Sequence, residues 1–279
     1  MGFLIAVVCT GCHAEVPASD GDADTSTSAL ASHFDPASTG GITGRVTWKG
    51  TIPEPSTFMY CLPRPDGKGL TYIHSENPNR PRIDPATRAI SGAVVFLRGI
   101  DPTQSRPWDL PPVAIEMGNG KITVVQGDRR DRVGFVHRGD AFTAKSIEPL
   151  FHILRGRGDA YFSLTLPAPG ASVSRTLHKA GRVELSSGTG LYWARGDLFV
   201  ADHPYYTVTG ADGRFLLDRV PPGDFELVVW LPGWGIAKQE RNPDTTAIST
   251  MTYTPALERI SKIAVMPGQV SELDPTLHE

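Results

Sequence analysis

The chain has three cysteines and eight histidines among 279 residues, and their spacing limits the chemistry open to it. Cys9-Thr10-Gly11-Cys12-His13 matches C-x-x-C-H, the pattern that attaches a c-type haem through two thioethers and one axial imidazole. The pattern lies at the end of an apolar leader and lacks the helical, apolar surround that a haem needs, so it is not read as a haem site. His152 is an imidazole able to ligate a metal or move a proton; its plainer reading is a histidine at a loop edge, bonded to backbone. Ser187, His152 and an aspartate make a hydrolase triad on paper, but no G-x-S-x-G turn surrounds Ser187. Asp128, Asp131 and Asp140, interleaved with Arg129, Arg130 and Arg132, read as a solvated charge run; a calcium site needs oxygens that converge. Cys61 reads as a small buried hydrophobe or a free thiol. No catalytic residue, cofactor or metal ligand is assigned, and the chain reads as non-enzymatic.

Aromatic residues supply the binding candidates. His203 precedes Pro204, Tyr205 and Tyr206, a set that serves either as a binding face or as a junction fixed by ring packing. Trp193 and Trp234 would stack on pyranose rings if exposed, whereas Trp230 sits in an apolar run and belongs to the core.

The elements that must position these residues are strands. Gly 29 and Pro 24 mark many turns. Between them run short alternating or apolar segments, at 41–50, 90–97, 113–117, 121–125, 132–136, 161–166, 181–185 and 198–200, and again at 214–217, 225–231, 251–254 and 260–265. Residues 61–89, rich in proline, read as one long irregular loop. The net charge of −3 leaves no cation excess for a phosphate backbone, so nucleic acid is excluded as a partner. Phe3 to Val8 is apolar and runs into Thr10-Gly11-Cys12, which resembles the end of a bacterial lipoprotein signal, with Cys12 as the lipidated residue. A Ser-, Thr-, Asp- and Ala-rich stretch then forms a tether.

Two longer stretches resemble known families. His203 to Phe215, continuing through Val220-Pro221-Pro222-Gly223 to Leu227, resembles the hairpin of carboxypeptidase regulatory-like domains. Residues 132–200 resemble the cupredoxin-like domain of exported bacterial proteins, with Glu148-Pro149-Leu150-Phe151-His152 in the place of the segment that carries the first copper-ligand histidine. The resemblance implies that the last strand should lead into a loop bearing Cys, His and Met. Here Ser187 stands where the Cys would be, Gly190 where the His would be, and Trp193 near the Met. A type 1 copper site is therefore not expected.

The resulting expectation is an all-β chain: a cupredoxin-like β-sandwich combined with a carboxypeptidase regulatory-like (transthyretin/prealbumin-like) β-sandwich. The parts are a signal at 1–12, a flexible linker at 13–40, a cupredoxin-like region at 41–200 and a regulatory-like sandwich at 201–279. In a nested alternative, 41–100 pairs with the C-terminal part instead. The role expected is a lipid-anchored binding or scaffold module of the cell envelope, on its periplasmic or surface side, with a protein or glycan ligand. The alternatives are a redox protein with an atypical metal or haem site, and a glycan-binding accessory module with Trp193 or Trp234 exposed.

Overall fold

The computed structural model describes residues 33–279 apart from 65, 168, 242 and 245–247. The expectations placed on Cys9, Cys12 and the rest of 1–32, and on the Cys61 side chain, lie outside the described residues. Among the described residues there is no α-helix; two 3-10 turns, Pro36–Ser38 and Pro102–Gln104, each start under an aspartate whose carboxylate accepts a backbone N–H.

β-branched and aromatic runs form strands because their side chains pack well on a pleated surface. Among the described residues four sheets of three or more strands result, beside four two-stranded ones, and alternate side chains of each strand face opposite neighbours. The first layer has the strand order Arg214–Val220, Gly40–Arg45, Val270–Glu272. The second runs Tyr206–Val208, Val94–Arg98, Gly223–Leu231, Leu257–Val265. The third runs Val133–His137, Arg195–Ala201, Gly181–Ser187, His152–Gly158, Phe162–Leu166. The fourth runs Arg129–Asp131, Lys121–Gln126, Val113–Gly118, Ala141–Ser146, Ser172–Thr176.

Three cores lie between these four layers. Ile42, Phe215 and Leu217 of the first layer pack on Val95, Leu97, Leu227 and Val229 of the second. The alternate residues of those same second-layer strands, Val94, Phe96, Val228 and Trp230, pack on Val133, Phe135 and Phe199 of the third layer. The third layer then turns Val183, Leu185, Leu198 and Val200 toward Ile115, Ile122, Val124 and Phe142 of the fourth. The second and third layers are thus buried on both faces. Val94-Val95-Phe96-Leu97 and Leu198-Phe199-Val200 consequently read as unbroken apolar runs, without the alternation of a half-exposed strand.

The chain path is nested. Residues 40–98 place strands in the same two sheets as residues 206–272, and residues 113–201 supply the other two sheets. The segment 41–200 is therefore not one sandwich at the level of strand pairing. Val94–Arg98 pairs with Gly223–Leu231 and with Tyr206–Val208, whose apolar residues face the same cores. The irregular loop expected at 61–89 is also corrected. Phe58–Pro63 and Leu70–Ser75 form an antiparallel hairpin, and Arg82–Ile83 pairs with Ile90–Ser91. Leu70–Ser75 buries no residue, and its Leu70 and Tyr72 are exposed, so no core marks it as a strand. The Asp212-Gly213 turn is as expected: Gly213 has φ 77, and an added Cβ would lie 2.6 Å from the Val46 carbonyl.

Trp230→Ala should cost about 3–5 kcal/mol of stability, because the ring fills the seam between the second and third layers. Denaturant unfolding followed by circular dichroism checks this; a loss under about 1 kcal/mol would show that the seam carries little of the stability.

Candidate functional site

On the seam-facing side of the third layer the apolar residues give way to charged ones. Alternation places Arg155 and Arg157 of His152–Gly158, Arg182, Glu184 and Ser186 of Gly181–Ser187, and Arg195 and Asp197 of Arg195–Ala201 on this one face. The register aligns Arg155 with Ser186 and Ser186 with Arg195; the next row is Arg157, Glu184 and Asp197. Over this floor lie Pro232-Gly233, the hairpin Ile236–Arg241/Ile248–Tyr253 and the segment around Asn79.

Buried polar groups tie roof to floor. Arg195 donates to the carbonyls of Tyr192, Ala194 and Met251 at 2.9, 2.9 and 2.5 Å, and its guanidinium lies 5.3 Å from the Tyr253 ring centroid. Arg132 donates to Asn79 Oδ1 at 2.6 Å and pairs with Asp197 at 2.7 Å. Asn79 Nδ2 in turn donates to the Gly233 carbonyl at 2.7 Å, and Asn77 Nδ2 to the Trp234 carbonyl at 2.9 Å. Gly233 has no room for a side chain: a Cβ there would sit 1.9 Å from the Thr254 carbonyl oxygen.

Asp197 receives Arg132 on one carboxylate oxygen and Arg182 on the other, at 2.7 and 3.1 Å. Burial pushes the Asp197 carboxyl up from the usual carboxylate range, and the two arginines oppose that rise; burial likewise lowers Arg132, and Asp197 opposes it. With a guanidinium on each oxygen, the ionised carboxylate is the form this geometry holds.

A cavity of about 320 Å³ opens over Arg155, Arg157 and Arg182. A second, of about 620 Å³, opens over Arg80, Lys121, Arg130 and Arg132. Asn79, Arg195 and Pro232 line both and separate them. Together the walls carry nine cationic side chains against five acidic ones, in a chain whose net charge is −3. Most of these cations are already paired. Arg155, Arg157, Arg80 and Lys121 are exposed, and their side chains have no hydrogen-bond or ion-pair partner among the described residues.

Sequence reasoning missed this cluster because it did not identify the strand His152–Gly158. The signal was present in Arg155-Gly156-Arg157 and in Arg182-Val183-Glu184: a charge at every second residue marks one face of a strand. The solvated charge run is corrected as well. Arg129 donates to the Val133 carbonyl at 2.7 Å and to Gln126 Oε1 at 2.9 Å, and Arg132 lies inside the seam, because the chain passes there from the edge strand Arg129–Asp131 of the fourth layer into Val133–His137 of the third.

The residues singled out from sequence occupy separate places. Trp193 is 1% exposed; its indole N–H donates to the Gly120 carbonyl at 3.1 Å, and its ring stacks on Phe58. Trp234 is 8% exposed and meets Trp48 edge to face. The open aromatic face expected of a glycan-stacking residue is thus absent at both positions, because each ring is used in packing. Tyr205 is fully buried, accepts from the Arg106 backbone N–H and donates to the Arg219 carbonyl. Tyr206 stacks on Phe96 at 5.0 Å, and burial pushes its hydroxyl up to about 12. His203 lies against both tyrosine rings, with Nδ1 buried and unbonded, and burial holds its pKa down at about 4.

His152 is 3% exposed, its Nε2 2.9 Å from a Glu148 carboxylate oxygen and its Nδ1 without a partner. It borders a pocket with Thr189 and Gly190, and the Ser187 hydroxyl is 3.2 Å from that of Thr189. A type 1 copper centre needs a thiolate and two imidazoles. One imidazole beside two hydroxyls and a glycine does not fit that donor set. Among the described residues, no group of three or more His, Cys, Asp or Glu is placed to hold a metal.

No family model matches the chain, and no curated protein matches it. Among solved structures it is similar to a reduced amicyanin mutant, at 19% identity over 32% of this chain and 82% of that one, with a TM-score of 0.26. It is also similar to an oxidised amicyanin mutant, at 15% identity over 38% of this chain and 98% of that one, with a TM-score of 0.26. The purple cupredoxin of Nitrosopumilus maritimus is similar at 14% identity, over 33% of this chain and 99% of that one, with a TM-score of 0.25. The likeness is to cupredoxins over part of the chain; such scores carry no argument about the site.

Two outcomes are expected. Asp197→Ala should destabilise by about 3–5 kcal/mol, since it strands Arg132 in the seam, whereas Arg157→Gln on the same row should cost under about 1 kcal/mol; paired chemical denaturations check both. Because native His203 stays neutral to about pH 4 while the unfolded chain takes up that proton near 6.5, stability should drop as pH is lowered from about 6.5 to about 4, by up to about 1.4 kcal/mol per pH unit. His203→Phe should flatten that slope, and an unchanged slope would assign it to other groups.

Proposed function

We propose that this chain is a non-enzymatic binding module of the cell envelope, anchored through a lipidated Cys12, and that its ligand seat is the arginine-lined cleft. In this reading residues 113–201 form a cupredoxin-like sandwich that has kept the framework without a copper loop. Residues 40–98 and 206–277 form the regulatory-like sandwich that carries it. The membrane is a partner through the lipid alone.

The carrying observation is the unpaired state of Arg155 and Arg157. Every other arginine of the smaller cavity is spent on Asp197, Glu184 or a backbone carbonyl, and so serves to hold the cleft open. Two free guanidiniums on same-side positions of one strand form a fork for carboxylate, sulfate or phosphate oxygens, whose charge-assisted bonds must outweigh the cost of ordering both side chains, about 0.5–1.5 kcal/mol each. The chemistry available is capture; no nucleophile with a matched base lines the smaller cavity.

At constant ionic strength, sulfate, phosphate or citrate should raise the melting temperature of the purified chain relative to chloride, as a ligand bound only to the folded state must. The Arg155→Gln/Arg157→Gln double variant, whose side chains support nothing else, should melt normally and lose most of that shift. An equal shift in wild type and variant would move the seat away from these arginines.

A further inference from the structure

Resting on that anion seat, we infer that the ligand is an acidic oligosaccharide, with carboxylates or sulfates set apart by neutral sugar units, that lies across both cavities. Three observations converge. The first is the placement of the free cations. Arg155 and Arg157 lie in the smaller cavity and Arg80 and Lys121 in the larger, with Asn79, Arg195 and Pro232 between. A single small anion engages one group; a chain engages both.

The second is the acidic groups between the cations. Glu184 stands in the same row as Arg157, and Glu54 and Glu76 line the larger cavity. Arg155 and Arg157 are about 7 Å apart along their strand. A densely charged polymer such as inorganic polyphosphate would set anionic oxygens against Glu184 as well as against the arginines, and like charges placed together are costly. A polymer with spaced charges can set a neutral unit there.

The third is the rest of the lining. Ser186, Ser187, Thr250 and Thr252 put hydroxyls around the smaller cavity, matched to sugar hydroxyls. Ile52, Ile83 and Ile122 give the larger cavity apolar surface for the C–H faces of pyranose rings. Recognition is then by charge and hydroxyl pairing, which does not need the exposed tryptophan that the molecule lacks.

The test is binding of the purified chain to hyaluronan oligosaccharides, in which a glucuronate alternates with a neutral sugar, from the disaccharide upward, by calorimetry. Neutral oligosaccharides of equal length and inorganic polyphosphate are the comparisons. Affinity should rise with length by roughly tenfold or more and then level off once both cavities are spanned. Arg155→Gln/Arg157→Gln should weaken every length by roughly tenfold or more, and Arg80→Gln/Lys121→Gln only the long ones. All four side chains are exposed and unpaired, so both variants should keep the wild-type melting temperature. Length-independent binding that still needs Arg155 and Arg157 would overturn the oligosaccharide and leave the anion seat standing. Tighter binding of polyphosphate would assign the cleft to a phosphate polymer instead. No binding of any anion would overturn the seat itself.

Discussion

The structure turns on what the Trp230 ring touches. It meets Phe199 edge to face at 5.2 Å, and the guanidiniums of Arg132 and Arg182 lie 5.9 and 5.3 Å from its centroid. Trp230 belongs to the second layer and the other three side chains to the third layer or its edge. In sheets that bury both faces no strand can slip its register by one residue, since the slip would turn an entire set of apolar side chains to the wrong core. Aromatic packing fixes the separation of these layers, and Asp197 draws both arginines against the indole. The cleft lies just beyond this seam, so its floor and roof inherit their spacing from it.

Charge is organised in the same way. The whole chain is mildly acidic, which argues against a polyanion partner when the sequence is taken as an average. Alternation along three adjacent strands overrides the average locally: arginines from separate parts of the chain reach one face, and roughly half of them are consumed in construction. The paired arginines are rigid because they answer buried oxygens, and the unpaired ones are available because they stand where no oxygen reaches them. Structural and ligand-facing cations thus share one wall and differ only in what surrounds them.

Much of the fold was legible in the sequence, and little of the site. Val94 to Leu97 and Val228 to Leu231 are apolar runs that only strands between two cores require, and the Asp212-Gly213 turn announced its hairpin. Strands without a buried face, such as Leu70–Ser75 and Ile236–Arg241, have no apolar stripe tied to a core. The cleft failed to appear for a different reason. Arg80, Arg155 and Arg195 are far apart in the chain, and only strand register and sheet stacking bring them together. Trp193 and Trp234 drew attention as aromatic residues near loops, but their rings are consumed by Phe58 and Trp48, contacts that no local pattern encodes.

The nested path has a kinetic consequence. The chain leaves the second layer at Arg98 and returns to the same sheet at Tyr206, where Phe96 and Tyr206 are register partners. If the intervening segment were an open coil, joining those strands would mean closing a loop of roughly a hundred residues, at an entropic cost that grows with the logarithm of its length. Once residues 113–201 have collapsed around their own core, the exit and return points are held near one another and most of that cost is gone. The inner sandwich therefore acts as a clasp for the outer one during folding, and the outer sheets assemble most readily in second place.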